Sequence, residues 1–190
     1  MQTAPRGQAT VSFNMRPLRY DRREMIPVTA EQFRQVMRRW ASTVNIVTTR
    51  HDGFDYGLTV TAFSSLAATP PLVFASINTH TRTHPLVEKS GIFCVNFLAP
   101  TMKHISDRFA GRLPDEERFA GLAHHVAATG APVLDDAIAF LDCKVVQAFA
   151  AGDHTIFVGE VLAGDVQHPD QTPLLYFSGK YRGLGGEITE

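Results

Sequence analysis

Eight histidines are the first residues to weigh as chemistry. His80 and His84 stand at i, i+4, a spacing that on a helix sets two imidazoles on one face, as a metal pair requires. They lie instead in the polar run Asn78-Thr79-His80-Thr81-Arg82-Thr83-His84-Pro85, with no Glu at the HExxH position and no third ligand at a recognisable spacing. His124 and His125 are adjacent and would point apart on regular structure. The sequence therefore predicts no metal site. Gly183-Leu184-Gly185-Gly186 has the glycines of a phosphate loop, yet no helix opens after it to aim an N-terminus at a phosphate. The GxSxG elbow of a serine hydrolase is absent.

Hydroxyls gather between Tyr56 and Phe109. Thr59, Thr61, Ser64 and Ser65 crowd the end of one apolar strand, a second strand ends in Ser76-Ile77-Asn78, and Thr79–Thr83 adds further hydroxyls with Arg82. Hydroxyls, backbone N–H groups and one Arg can hold a phosphate and a ribityl chain without a P-loop. The same residue types are also ordinary on exposed strand faces and in loops.

The elements that must position these groups are mostly strands. Val44–Thr49, Leu58–Phe63, Leu72–Ile77, Ile92–Leu98, Ala137–Phe149 and Thr155–Ala163 are rich in Val, Ile, Phe and Thr. Asp52-Gly53 and Gly152-Asp153 are hairpin turn signals. Thr29 with Gln32 forms a capping box before a short helix whose Phe33, Val36, Met37 and Trp40 make one apolar stripe, expected to pack on the core. Further helical segments are brief, around Pro85–Lys89 and Thr101–Phe109. Strands that do not alternate with long helices disfavour a parallel doubly wound sheet, so the expected fold is mainly β, an antiparallel barrel with short helical insertions.

Composition bounds the rest. The chain has 190 residues, enough for one domain, with 18 Lys+Arg against 19 Asp+Glu. That balance argues against nucleic-acid binding, which needs a basic surface. Two cysteines, Cys94 and Cys143, make no disulfide framework and no CxxC. No apolar run reaches the ~20 residues of a membrane span. A cytoplasmic protein is expected. Residues 1–27, with five arginines and three prolines but no periodicity, read as a flexible N-terminal arm, and 183–190 as a flexible C-terminal tail.

An ordered series of segments carries a resemblance: Phe33–Met37, Thr43–Thr49, Gly57–Leu66, Pro70–Val73, Phe93–Leu98, Arg108–Gly111, Gly152-Asp153-His154 and Pro173–Phe177. From Val28 to Arg182 the chain resembles the flavin reductase-like family, the short-chain reductase components of two-component flavin-dependent monooxygenases. The resemblance implies an FMN-binding split antiparallel β-barrel over 28–182, a homodimer, oxidation of NADH or NADPH, reduction of FMN or FAD, and delivery of diffusible reduced flavin to a separate monooxygenase. It also implies flavin contacts at Tyr56, Gly57, Leu58, Thr59, Thr61, Ala62, Ser64, Ser65, Ser76, Ile77, Asn78, Arg82, Thr83, Arg108 and Phe109. His154, as catalytic residue, would act on the nicotinamide nucleotide together with Tyr176, Phe177, Ser178 and Gly179. Such chemistry belongs to the cofactors and needs no catalytic triad. Two rival readings on a shared fold are a non-catalytic flavin-binding electron carrier and a pyridoxamine-phosphate oxidase-like enzyme. The latter would need a denser Arg/Lys set for its phosphorylated substrate.

Overall fold

Strand order decides the architecture. A computed structural model describes residues 27–185; residues 1–26 of the expected arm and 186–190 of the expected tail lie outside the described residues. The main sheet is antiparallel, in the order β3 (Phe54–Val60), β2 (Asn45–His51), β6 (Ile92–Phe97), β9 (Ala139–Ala151), β10 (His154–Val166), β5 (Pro71–Asn78) and β4 (Phe63–Ala68). Laid flat, seven strands ~4.8 Å apart would separate β3 from β4 by ~29 Å. Only Thr61 and Ala62 join these two edges, and three Cα steps span at most ~11 Å. The sheet must therefore curl until its edges approach, which is the split barrel. The Ser76 N–H donates to Ala62 O at 2.9 Å and fixes the crossover against β5. This divides the segment Leu58–Phe63, expected as one strand, between two strands at opposite edges.

Inside the barrel lie Val47, Leu58, Val60, Val73, Ala75, Ile77, Phe93, Val95, Cys143 and Phe157. Along β5 the inward residues Val73, Ala75 and Ile77 alternate with Leu72, Phe74, Ser76 and Asn78, as the period of two demands. β2 is buried on both faces. Val47 points into the barrel, while Val44, just before the strand, and Ile46 pack under a helical excursion with Leu98, Met102, Ile105, Phe109 and Leu174. The β2–β3 turn takes Asp52 and Gly53 at φ +50° and +80°, the left-handed pair expected of a two-residue hairpin.

Helices are short. α1 (Ala30–Met37) has the expected capping box: Thr29 Oγ1 accepts from Gln32 N–H at 3.1 Å and Gln32 Oε1 from Thr29 N–H at 2.8 Å. Its apolar stripe does not pack on the core as expected. No residue of α1 is buried, and Phe33, Val36, Met37 and Trp40 all stay exposed. α2 spans His84–Ser90. The excursion after β6 comprises a 3-10 turn at Pro100–Met102, α3 (Lys103–Asp107), a wide π-type turn at Arg108–Arg112 and α4 (Asp115–Arg118). Three short strands complete a second sheet, β1 (Ser42–Thr43) pairing β11 (Leu175–Phe177), which pairs β12 (Lys180–Arg182). β7 (His124–Val126) and β8 (Pro132–Leu134) form a separate ribbon. Among the described residues no helix is long and apolar enough to cross a membrane.

Candidate functional site

A cleft of about 620 Å³ opens where β3, the loop before α2, the helical excursion and the β11–β12 hairpin meet. Val44 and Leu58 give it an apolar floor, and Thr59 and Thr61 line the end of β3 and the crossover. Thr81, Arg82 and Thr83 form one polar wall; Tyr176, Gly179 and Tyr181 come from the hairpin. The excursion supplies Ser106, Asp107, Phe109, Ala110, Gly111 and Arg118.

Hydrogen bonds fix each wall. Thr59 Oγ1 donates to Ser106 O at 2.7 Å, tying β3 to α3. Tyr181 Oη donates to Asp107 Oδ1 at 3.1 Å and lies 2.9 Å from Ser106 Oγ. Lys103 Nζ donates to Asp107 Oδ2 at 2.7 Å and sits 5.1 Å from the Tyr181 ring centre. Opposite, Thr81 Oγ1 donates to Asn78 O at 2.8 Å, and Thr83 Oγ1 to Gly57 O at 3.3 Å. At Gly57 a Cβ would stand 2.8 Å from Phe109 Cε1, so only glycine leaves room for that ring. Phe109 is 1% exposed and edge-on to Phe119 at 5.1 Å; it meets the cleft from within the core.

Of the residues the sequence singled out, the structure brings Leu58, Thr59, Thr61, Arg82, Thr83, Phe109, Tyr176 and Gly179 to this one cleft. The others are not among its lining residues. Tyr56 is half-buried on β3 next to Gly57, and Ala62 sits at the crossover. Ser64 and Ser65 are exposed on edge strand β4. Ile77 lies in the barrel core, and Ser76 occupies the opposite face of β5. Arg108 turns its Nη2 to Glu117 O and Ala120 O, bracing the excursion. Phe177 and Ser178 belong to the β11–β12 hairpin, where Ser178 N–H donates to Arg38 O at 3.2 Å.

His154 opens β10 opposite Asn78, with its Nδ1 2.7 Å from Asp153 Oδ1. That hydrogen bond holds the exposed Asp153 carboxyl below its ordinary range. Asp153 O in turn accepts from Thr79 N–H at 2.9 Å and Thr79 Oγ1 at 3.1 Å. His154 thus stands at the foot of the loop that carries Arg82, without lining the cleft.

The histidine pair weighed for metal is split. His84 is buried, 2.8 Å from Thr155 Oγ1 and packed on Phe157, while His80 is exposed. His124 pairs with Asp55 at 3.0 Å, and Asp55 also accepts from Arg50 at 2.6 and 3.0 Å. Among the described residues no group of three or more His, Cys, Asp or Glu is arranged to hold a metal ion.

The reading of residues passed over Val44, Ser106, Asp107, Ala110, Gly111, Arg118 and Tyr181 as site residues. A signal existed for Tyr181: Ser178-Gly179 is a two-residue hairpin turn and pairs Tyr176 with Tyr181. Nothing in the sequence marks Arg118.

The model of the flavin reductase like domain matches residues 37–185. The chain belongs to the flavin reductase-like family. Similar family members include the FMN reductase (NADH) RutF of Stutzerimonas stutzeri, 38% identical over 159 residues, covering 83% of this chain and 90% of that protein. The reductase component of the 4-nitrophenol 4-monooxygenase/4-nitrocatechol 2-monooxygenase of Rhodococcus opacus is 37% identical, covering 82% of this chain and 81% of that protein. Among solved structures, flavin reductase HpaC complexed with NADP+ superposes with a TM-score of 0.76 at 34% identity, over 82% of this chain and 98% of that one. Flavin reductase PheA2 gives a TM-score of 0.77 at 35% identity, over 84% of this chain and all of that one. Family membership makes the chain an oxidoreductase.

Proposed function

We propose that the protein oxidises NADH or NADPH, reduces FMN or FAD, and releases reduced flavin to a separate flavin-dependent monooxygenase. The observation that carries this reading is the cleft itself, in a chain of this family: an apolar floor of Val44 and Leu58 beside a rim of threonine hydroxyls and Arg82. Its volume of about 620 Å³ is in the range of cofactor sites. That donor set fits a flat apolar ring carrying a polyol and a phosphate. Hydride acceptance and release is the chemistry the flavin supplies when bound.

The chain's own residues bind and orient. Arg82 offers a charge-assisted contact for phosphate and Thr61 a hydroxyl, while Thr59 and Thr83, whose hydroxyls donate to Ser106 O and Gly57 O, offer acceptor oxygens to ligand hydroxyls. Gly57 and Phe109 set how closely the excursion approaches β3. His154, through Asp153, holds the turn beside the Arg82 loop and acts on the nicotinamide side with Tyr176 to Gly179. The exposed stripe of α1, with exposed Val146, Phe149, Leu162 and Val166 on β9 and β10, supports a homodimer that covers them. Both cysteines are free and buried, in keeping with a cytoplasmic protein.

The test is anaerobic bleaching of excess FMN and FAD by NADH and NADPH at catalytic protein concentration. Turnover above background is expected, and its absence with all four pairs sinks the proposal. In the same assay Arg82→Ala should weaken FMN binding, whereas His154→Ala should slow flavin reduction and leave FMN affinity nearly constant.

A further inference from the structure

Arg118 is a cleft residue that the sequence did not flag and the proposed function does not use. We propose that it is a positioning residue, latching the segment 108–122 onto the open edge of β3 so that the cleft is preformed before ligand arrives. The inference deepens the flavin-reductase reading and rests on it for the identity of the ligand.

Among the described residues β3 ends the main sheet and has a strand neighbour on one side only. Edge carbonyls that are covered by protein need donors from elsewhere. Gly57 O, on that edge, receives two: Thr83 Oγ1 at 3.3 Å and Arg118 Nη1 at 3.0 Å. The same guanidinium donates from Nε to Leu113 O at 3.3 Å, gripping the entrance of α4 while it reaches β3. A planar fork can serve two separate carbonyls at once; a lysine ammonium on one flexible stem cannot hold both in the same way.

The segment is also closed on itself and seated at the same residue. Arg108 Nη2 donates to Glu117 O and Ala120 O, and the Phe109 and Phe119 rings meet edge-to-face. Phe109 occupies the space left by the missing side chain of Gly57. Gly57 is therefore the point where Thr83, from the Arg82 wall, and Arg118, from the excursion wall, refer to one backbone atom. Two cleft walls that share an anchor keep a fixed separation, and a fixed separation spares a ligand the cost of ordering them.

The experiment compares wild type, Arg118→Ala, Arg118→Lys and Gly57→Ala without ligand and with FMN. Amide hydrogen exchange over 108–122 should rise in Arg118→Ala while β9 keeps its protection. FMN dissociation in stopped flow should accelerate about ten- to hundredfold, the range expected for losing charge-assisted hydrogen bonds. Arg118→Lys should lie between the two. Gly57→Ala keeps the arginine but blocks the Phe109 seat, and should loosen the same segment; it also serves if the alanine variant at 118 does not fold. Unchanged exchange over 108–122, or raised exchange with unchanged FMN dissociation, overturns the latch. Equal loss of protection in β9 and the segment overturns it too, since Arg118 would then be a general brace. A wild type that neither binds nor reduces FMN would refute the reductase reading, and the exchange data would still judge the latch.

Discussion

Replacing Tyr181 by Phe tests how the cleft is held together. The substitution keeps the ring and deletes one hydroxyl, which lies 2.9 Å from Ser106 Oγ and donates to Asp107 Oδ1 at 3.1 Å. Ser106 is fully buried and the Asp107 side chain is 19% exposed, so water replaces neither contact freely. One neutral hydrogen bond and one to a carboxylate would sum to ~2–4 kcal/mol. Asp107 keeps its Lys103 partner at 2.7 Å, which places the expected loss at the lower end, about 2 kcal/mol. For a chain of this length that is a fall of ~4–8 °C in melting temperature. Urea unfolding should show a lower midpoint at unchanged slope. Asp107→Ala combined with Tyr181→Phe should lose less than the sum of the single losses, by about 1 kcal/mol, because both remove the same bond. FMN affinity should fall as well, since Tyr181 belongs to the wall of the cleft. A Tyr181→Phe protein with wild-type midpoint and wild-type FMN affinity would refute the claim that this network fixes the wall.

Two further outcomes follow from burial. The Cys143 thiol is pushed up to about 12, chiefly by burial and then by the Asp142 carboxylate, and Cys94 is raised well above its ordinary value by the same two causes with Cys143 added. Both should stay protonated at pH 8 and resist Ellman's reagent until urea unfolds the chain. Since the folded thiols hold their protons longer than unfolded ones, their stabilising contribution is complete below about pH 9 and fades as pH climbs toward 12. Rapid labelling of either thiol in the native protein would contradict this. Light scattering at micromolar concentration should report a dimer, and replacing Phe33 on α1 and Trp40 just after it by Ser should weaken it; a monomeric wild type would contradict the homodimer.

What was legible in the sequence divides along physical lines. The long strands β5 and β10 were readable, because they are rich in Val, Ile and Phe, whereas the three-residue β8 was not, although it is buried throughout. The split of Leu58–Phe63 was not, since Thr61 and Ala62 sit at an edge-to-edge crossover that only strand order reveals. Threonines and Arg82 stood out as polar residues concentrated in one stretch, and the cleft gathers Thr59, Thr61, Arg82 and Thr83 from that stretch. Ser64 and Ser65 were grouped with them by adjacency in the chain, whereas β4 holds them on an exposed edge. Arg118 was illegible for a different reason. The two contacts that make it a latch go to backbone carbonyls of Gly57 and Leu113, and carbonyls leave no trace in residue type.

The α1 stripe shows where periodicity stops. Phe33, Val36, Met37 and Trp40 recur at the spacing of one helix face, and the capping box that starts the helix is present as read. The pattern establishes that a face is apolar; it carries no information on which chain covers it. In this chain that face is open to solvent, with Trp40 67% exposed. Yet α1 is not detached from the site, because Arg38, its C-cap, accepts the Ser178 N–H at the tip of the hairpin that bears Tyr176, Gly179 and Tyr181. A second copy seated on the stripe would therefore press on an element that walls the cleft. Covering the helix and shaping the site would then be one event, which is why the dimer and the flavin affinity should weaken together in the α1 variant.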